Sequence, residues 1–288
     1  MIFHMKKILN FKILIVLAII IFACLIYVFL KFGFKPEKGN DYSYPLPDYL
    51  HEVSGITYIG DNKIAAVQDE AGIIYIYDLN KKTVIDSIEF GNFGDYEGIA
   101  FAKGNFYVLR SDAILFDITK DRTIEYNLAI GANNNEGLCY DPLNNRLLIA
   151  TKSKAEDGKE YKDKRYIYAF NLENKKLSTE PIFIIDITEV ENFVNSINAK
   201  LEAKSGKKII KFRPSGIAIH PQSNDIYIVS AIDNIIIVLS QTGKIIDVKQ
   251  LDISIFNQPE GITFLKNGET LIANEGGQGM PTLIKLSL

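Results

Sequence analysis

Several residue types that commonly build functional sites are scarce in this sequence of 288 residues. It has no Trp and only three His, so imidazole metal sites and His-based catalysis have little to draw on. Its two cysteines, Cys24 and Cys139, lie in very different contexts, which argues against a disulfide framework. The net charge of −3 offers no basic footprint for nucleic acid, so we expect no nucleic-acid partner.

An unbroken apolar run at residues 13–30 is the clearest single feature of the sequence. Its eighteen residues approach the roughly 20 that a helix needs to span a bilayer. Lysines precede the run, so its amino end is expected to stay in the cytoplasm. We therefore predict a cytoplasmic tail at 1–12, a transmembrane anchor at 13–33 and a linker at 34–42.

This anchor places the remaining chain on the extracytoplasmic side of the inner (cytoplasmic) membrane. Two alternatives remain open at this stage. A cleaved signal peptide would have a shorter apolar core and a small-residue cleavage site. A lipoprotein attached through Cys24 would follow from the weak lipobox-like sequence IFAC at 21–24.

One short pattern occurs five times: Glu or Ser, then Gly, then Ile or Leu, a small residue and usually an aromatic. Successive copies start 43, 39, 79 and 45 residues apart. The copies are EVSGITYI (52–59), DYEGIAFA (95–102), NNEGLCYD (134–141), RPSGIAIH (213–220) and QPEGITFL (258–265). Each leads into short strands rich in Ile, Val and Tyr and separated by turn residues, a pattern typical of propeller blades.

We therefore predict an all-β fold, a five-bladed β-propeller spanning 43–288. A β-sandwich would not explain the recurring motif. The glycine suits an innermost strand, where a side chain would collide with neighbouring backbone. The last blade lacks an outer strand before the chain stops, so residues 41–50 are expected to supply it and close the ring. One inserted helix is predicted from Thr188, with Thr188 and Glu191 as a capping box and Gly206 near its end.

The five motifs, together with the phrases PSGIAIHPQSNDIYIVS and PEGITFLKNGETLIANEGG and the N-terminal anchor, resemble the SdiA-regulated (YjiK-like) family of membrane-anchored propeller proteins. The resemblance covers roughly residues 41–288. It implies a five-bladed, NHL-like propeller with a calcium site and without an assigned catalytic residue.

Strand direction places the Glu/Ser-Gly motifs on one face, here called the top face, with the loops between second and third strands. Three glutamates and two serines occupy equivalent ring positions near the axis. Converging carboxylates either hold protons or surround a cation, and hard oxygen ligands favour Ca²⁺, with Mg²⁺ as the alternative. The predicted metal ligands are Glu97, Glu136, Glu260, Asn274 and Glu275. The predicted ligand-binding residues are Ser54, Ser215, Asp69, Glu70, Arg110 and Asp233.

These features indicate a membrane-anchored binding protein that takes a divalent cation and a small or peptide ligand on its top face. A metal-dependent hydrolase of lactonase or phosphoesterase type, using the same face, is the alternative. A third interpretation is that the ring glutamates bond only backbone groups around a polar channel.

Overall fold

The computed structural model of this chain describes residues 42–132, 134–153, 162–200 and 209–288. The predicted tail, anchor and linker lie almost entirely outside this part of the chain, as does the predicted helix end at Gly206. Within the described residues, no helix is both long and apolar enough to cross a membrane.

The described strands form five antiparallel sheets, each ordered outward from the strand that carries a repeated motif. This arrangement confirms the predicted all-β, five-bladed propeller. Blade one comprises β2 (Val53–Gly60), β3 (Lys63–Gln68), β4 (Ile73–Asp78) and β5 (Thr83–Glu89). Blade two comprises β6 (Tyr96–Ala102), β7 (Asn105–Arg110), β8 (Ile114–Ile118) and β9 (Thr123–Asn127). Blade three comprises β10 (Asn135–Asp141), β11 (Arg146–Thr151), β12 (Lys164–Asn171), β13 (Lys176–Leu177) and β14 (Phe183–Asp186).

The last two blades contain four strands each. Blade four comprises β15 (Gly216–Ile219), β16 (Ile226–Ser230), β17 (Ile235–Leu239) and β18 (Ile245–Gln250). Blade five comprises β19 (Pro259–Phe264), β20 (Thr270–Asn274) and β21 (Thr282–Leu286), with β1 (Tyr42–Pro45) antiparallel to β21. In that pairing Ser43 faces Ile284, and Pro45 faces Thr282 at the strand end, where a residue without an N–H is tolerated.

Hydrophobic packing in this molecule occurs mainly between blades. Each of the five buried clusters of the described residues draws side chains from two neighbouring sheets. One of them, for example, joins Ile64 and Tyr77 of blade one to Leu271 and Leu283 of blade five. Since a sheet that is covered on both faces needs apolar residues on both, the central strands read as nearly continuous apolar runs.

The motif glycines lie where neighbouring first strands approach most closely. A Cβ atom on Gly98 would lie 2.7 Å from the carbonyl oxygen of Glu136 in the next blade. A Cβ atom on Gly216 would likewise collide with the carbonyl of Glu260. At these two positions glycine follows the ring residue because no side chain fits between the backbones, as predicted from the repeat.

The inserted helix, α1, runs from Ile187 to Lys200 and connects blades three and four. The predicted capping box is wrong in detail, because the backbone N–H of Thr188 donates to Asp186 Oδ1 at 2.8 Å. Asp186 ends the preceding strand, so the cap comes two residues earlier than the sequence indicates. Val190 and Val194 are buried in the cluster between blades three and four.

Candidate functional site

The five ring residues stand at the top ends of the first strands, as the repeat predicts. Glu136 and Glu260 are 1% and 8% exposed, and Ser54 and Ser215 are also buried. The axis is almost closed, with a cavity of about 10 Å³ that borders Ser54, Glu97, Glu136 and Ser215. A space of this size accommodates about one water-sized particle.

The two ring serines bond the neighbouring blade. Ser54 Oγ donates to the carbonyl of Tyr96 at 2.6 Å, and Ser215 Oγ donates to the carbonyl of Pro259 at 2.8 Å. Each acceptor immediately precedes a ring glutamate, so the serines hold the chain just before Glu97 and Glu260. The predicted role of Ser54 and Ser215 in ligand binding stays a prediction. The hydrogen bonds that they make in this structure join neighbouring blades.

Lys152 places a cation beside Glu136 of the acidic ring. Its Nζ lies 2.6 Å from Glu136 Oε1 and its side chain is 33% exposed. Neither carboxylate oxygen of Glu136 has a well-directed hydrogen bond within the described part of the chain, so this contact is an ion pair. Burial lowers the pKa of Lys152, but Glu136, Glu260 and Glu97 together raise it above its usual value.

The carboxylates around Lys152 resist ionisation. Burial, followed by the charge of Glu136, raises the pKa of Glu97 far above its usual range. Burial likewise raises the pKa of Glu136, against the opposing effect of Lys152. Burial is also the main cause that raises the pKa of Glu260 to about 8. Within the described residues, Lys152 is thus the ammonium group that acts on two buried glutamates and the half-buried Glu97, so the ring holds more carboxyl groups than this lysine can pair.

A second acidic group lies beside the ring at the ends of β3 and β20. Burial and the nearby Glu52 raise the pKa of Asp69 to about 6 and that of Glu275 to about 7. Gln258 Nε2 donates to the Glu275 carboxylate, whereas Asp69 Oδ1 is buried without a hydrogen bond in the described structure. Glu70 is exposed.

Asn274 ends β20 and is 2% exposed. Its Nδ2 donates to Thr282 Oγ1 at 3.2 Å, and its Oδ1 has no hydrogen-bond partner in the described structure. A buried amide oxygen without a partner is costly, and coordination to a cation or a hydrogen bond from water would satisfy it.

Two predicted ligand-binding residues are engaged elsewhere. Arg110 makes a bidentate contact with Asp112 at 2.8 and 2.9 Å and lies over the ring of Phe116. Asp233 accepts the backbone N–H of Phe212 at 2.8 Å and that of Lys211 at 3.2 Å, and so holds the chain entering blade four.

Lys152 was missed by sequence reasoning because it begins a long mixed run of Lys, Asp and Glu. It directly follows β11, as Asp69 follows β3 and Glu275 follows β20. Aligning the ends of the second strands therefore places a lysine among acidic residues at equivalent positions. That alignment of the sequence could have identified Lys152 as a member of the site.

The metal assignment stays a prediction. Among the described residues, no group of three or more His, Cys, Asp or Glu side chains is placed to hold one metal ion. The ring glutamates, Asn274 and Glu275 supply the hard oxygen donors that calcium prefers. The donor types therefore suit calcium, while the described carboxylates are not gathered around one point and the Lys152 ammonium lies next to Glu136.

Comparisons with known proteins agree with the fold. Residues 191–286 match the family model described as SdiA-regulated. The crystal structure of Myxococcus xanthus glutaminyl cyclase aligns with a TM-score of 0.55 at 14% identity, over 85% of this chain and 93% of that chain. Virginiamycin B lyase from Staphylococcus aureus aligns with a TM-score of 0.46 at 15% identity, over 82% of this chain and 67% of that chain.

The sequence has no significant match among curated proteins. At these identities the structural likeness concerns the fold alone. The family match covers β15 to β21 together with most of α1, and it includes both phrases on which the resemblance rests. This match and the five-bladed propeller together confirm the resemblance of the chain to the SdiA-regulated family.

Proposed function

We propose that this protein is a binding propeller whose top-face centre takes up a divalent cation, with calcium as the expected ion. The observation that carries the proposal is the buried carboxylate of Glu136, which lacks a well-directed hydrogen bond in the described structure. Lys152, which pairs with Glu136, is also influenced by the charges of Glu97 and Glu260. An additional positive charge would lower the cost of keeping these carboxylates ionised.

Calcium would draw on the ring carboxylates and Asn274 Oδ1, and it would supply the positive charge that Lys152 alone does not. Because Lys152 Nζ already lies against Glu136, a metal ion would compete with the ammonium group for that carboxylate. Removing the lysine charge should therefore strengthen metal binding, whereas removing the Glu136 charge should weaken it. This opposite response distinguishes a metal site from a purely structural ion pair.

Binding is favoured over hydrolysis because the contact made by Glu136 is an ion pair with Lys152 and not a positioned nucleophile. A hydrolase would need a metal with an open coordination position and a nearby general base. We also propose that residues 13–33 anchor the protein in the inner membrane with the propeller outside, and that β1 closes the ring.

The test uses the full chain in mild detergent, stripped with EDTA and then titrated with Ca²⁺ or Mg²⁺ while thermal unfolding is followed. Saturating calcium at a hundredfold excess over Kd should stabilise the fold by about 2.7 kcal/mol. At 2 to 4 °C per kcal/mol, the melting temperature should rise by about 5 to 10 °C.

Glu136→Gln should abolish that rise, and Lys152→Gln should increase calcium affinity. Glu269→Gln is the control, because Glu269 pairs with Lys285 at 3.0 Å and lies on the bottom face. The proposal fails if calcium shifts the wild type no more than it shifts Glu136→Gln. It also fails if Lys152→Gln binds calcium more weakly than the wild type.

A further inference from the structure

A second top-face cavity, of about 520 Å³, lies at the edges of blades three and four. Its described walls come from the residue before β10, the chain that directly follows β11, the start of β12 with Lys162 before it, and the chain that enters β15. Among the lining residues that the structure describes, four of six are cationic and none is acidic. They are Asn134, Lys152, Ser153, Lys162, Arg165 and Arg213.

Arg165 is the buried member of this group, with 7% of its surface exposed. Its guanidinium donates to the carbonyls of Lys164 at 2.8 Å and Lys162 at 3.2 Å, and its Nε has no hydrogen-bond partner in the described structure. Within that part of the chain no carboxylate forms a salt bridge with it. Leaving a buried cation without an anion is costly.

Nearby positive charge also disfavours the ionised form of Arg165. Burial and then the charge of Arg213 lower the pKa of Arg165, and the exposed Asp163 opposes this only in part. Two arginines thus face one cavity and repel each other. An anion between them would relieve this repulsion.

Arg213 is exposed, but its backbone is held firmly. Ser230 Oγ accepts the Arg213 N–H at 3.1 Å, and Asp233 accepts the N–H of the preceding Phe212 at 2.8 Å. Phe212 is fully buried with a φ of +30°, a conformation that a bulky residue adopts only under constraint from its surroundings. The segment therefore presents Arg213 at the cavity in a preorganised position.

We propose that this cavity binds the phosphoryl group of a small ligand. Lys152 shares its charge with Glu136, which leaves Lys162, Arg165 and Arg213 to neutralise a bound anion. Three positive charges suit a phosphate dianion better than a single carboxylate, and the arginine fork matches its oxygens. The cavity volume lies in the range of small-molecule sites.

This phosphoryl site is separate from the proposed cation site, and each can be tested without the other. Lys152 is the residue that borders both. A ligand that spans both sites would place its phosphoryl group here and its cationic portion at the acidic ring. A bound phosphoryl group would also give Arg165 an anionic partner and leave the ring carboxylates available to the cation.

The experiment measures binding of inorganic phosphate to the full chain in detergent by isothermal titration calorimetry, without added metal. Arg213→Gln should weaken phosphate binding by about 10- to 100-fold, the range for losing a hydrogen bond to a charged group. Arg122→Gln is the matched control, because Arg122 is an exposed arginine in the bottom-face turn between β8 and β9. It should bind phosphate as the wild type does.

Lys162→Gln provides a second test at an exposed side chain and should also weaken binding, whereas Arg165→Met risks the fold because Arg165 bonds backbone carbonyls. Equal phosphate affinity in Arg213→Gln, Lys162→Gln and the wild type would overturn the proposal. So would equal weakening in Arg122→Gln. Tighter binding of succinate than of phosphate would show that the assigned ligand class is wrong. Loss of calcium binding with retained phosphate binding would refute only the cation site.

Discussion

Replacing Lys152 with methionine tests how the acidic ring is stabilised. Methionine keeps most of the aliphatic length of lysine but removes the charge that lies 2.6 Å from Glu136 Oε1. Because Glu136 is 1% exposed, it cannot turn to bulk water without rearrangement. The variant therefore leaves a buried carboxylate either unpaired or protonated.

Breaking a buried ion pair by removing one partner costs about 3 to 5 kcal/mol. At 2 to 4 °C per kcal/mol, Lys152→Met should melt about 10 °C below the wild type. The pKa of Glu136 is already raised by burial and would rise further without Lys152. The folded variant would then hold a proton that the unfolded chain releases, so its stability should fall as the pH rises above the ordinary glutamate value. The deficit should be small at acidic pH and grow by up to about 1.4 kcal/mol per pH unit.

The assay is thermal unfolding of the full chain in detergent with EDTA, at about pH 5.5 and about pH 8.5, on either side of the expected titration. Lys175→Met is the control, because Lys175 pairs with the buried Asp117 at 2.7 Å on the bottom face with similar exposure. It should also lose stability but keep calcium and phosphate binding. Lys152→Met/Glu136→Gln should recover most of the loss. The reasoning is refuted if Lys152→Met melts like the wild type at both pH values, or if the double variant is no more stable than the single one.

Two further predictions concern the same ring. Burial raises the pKa of Glu260 to about 8, so the wild type should lose stability as the pH rises from about 4.5 to 8. In metal-free melts Glu260→Gln should lose less stability over this range, and an equal pH dependence of melting in the two proteins would contradict the prediction. Ser54→Ala removes a buried 2.6 Å hydrogen bond to the Tyr96 carbonyl and should lower the free energy of unfolding in denaturant by about 1 to 3 kcal/mol. Ser87→Ala, at an exposed position of β5, is the control and should lower it much less.

The repeat predicted much of the fold because its cause is local. Five motifs marked five first strands, and the glycine in each reflected a backbone approach that the structure confirms at Gly98 and Gly216. The helix was predicted from its apolar face, but its cap lay at Asp186 because the strand before it runs directly into the helix.

The candidate site was harder to predict because partners come from different blades. Glu97, Glu136 and Glu260 were identified by position, yet the sequence did not show that Lys152 pairs with them. The cationic cavity depends on Arg165 and Arg213, which are far apart in the chain and meet only when blades three and four are adjacent. From the sequence alone, the charged residues of a mixed run such as the one that begins at Lys152 are interpreted as solvent-exposed, because their neighbours in space are not known.

The shared packing between blades has a consequence for how such a protein can change over time. Because each buried cluster is divided between two sheets, no blade possesses a core of its own. Deleting one blade would strip the apolar faces of both neighbours and open the circle, so the loss cannot be confined to one repeat. Point substitutions can diversify the loops on the top face one at a time, whereas the number of blades can change only if the whole circle is rebuilt.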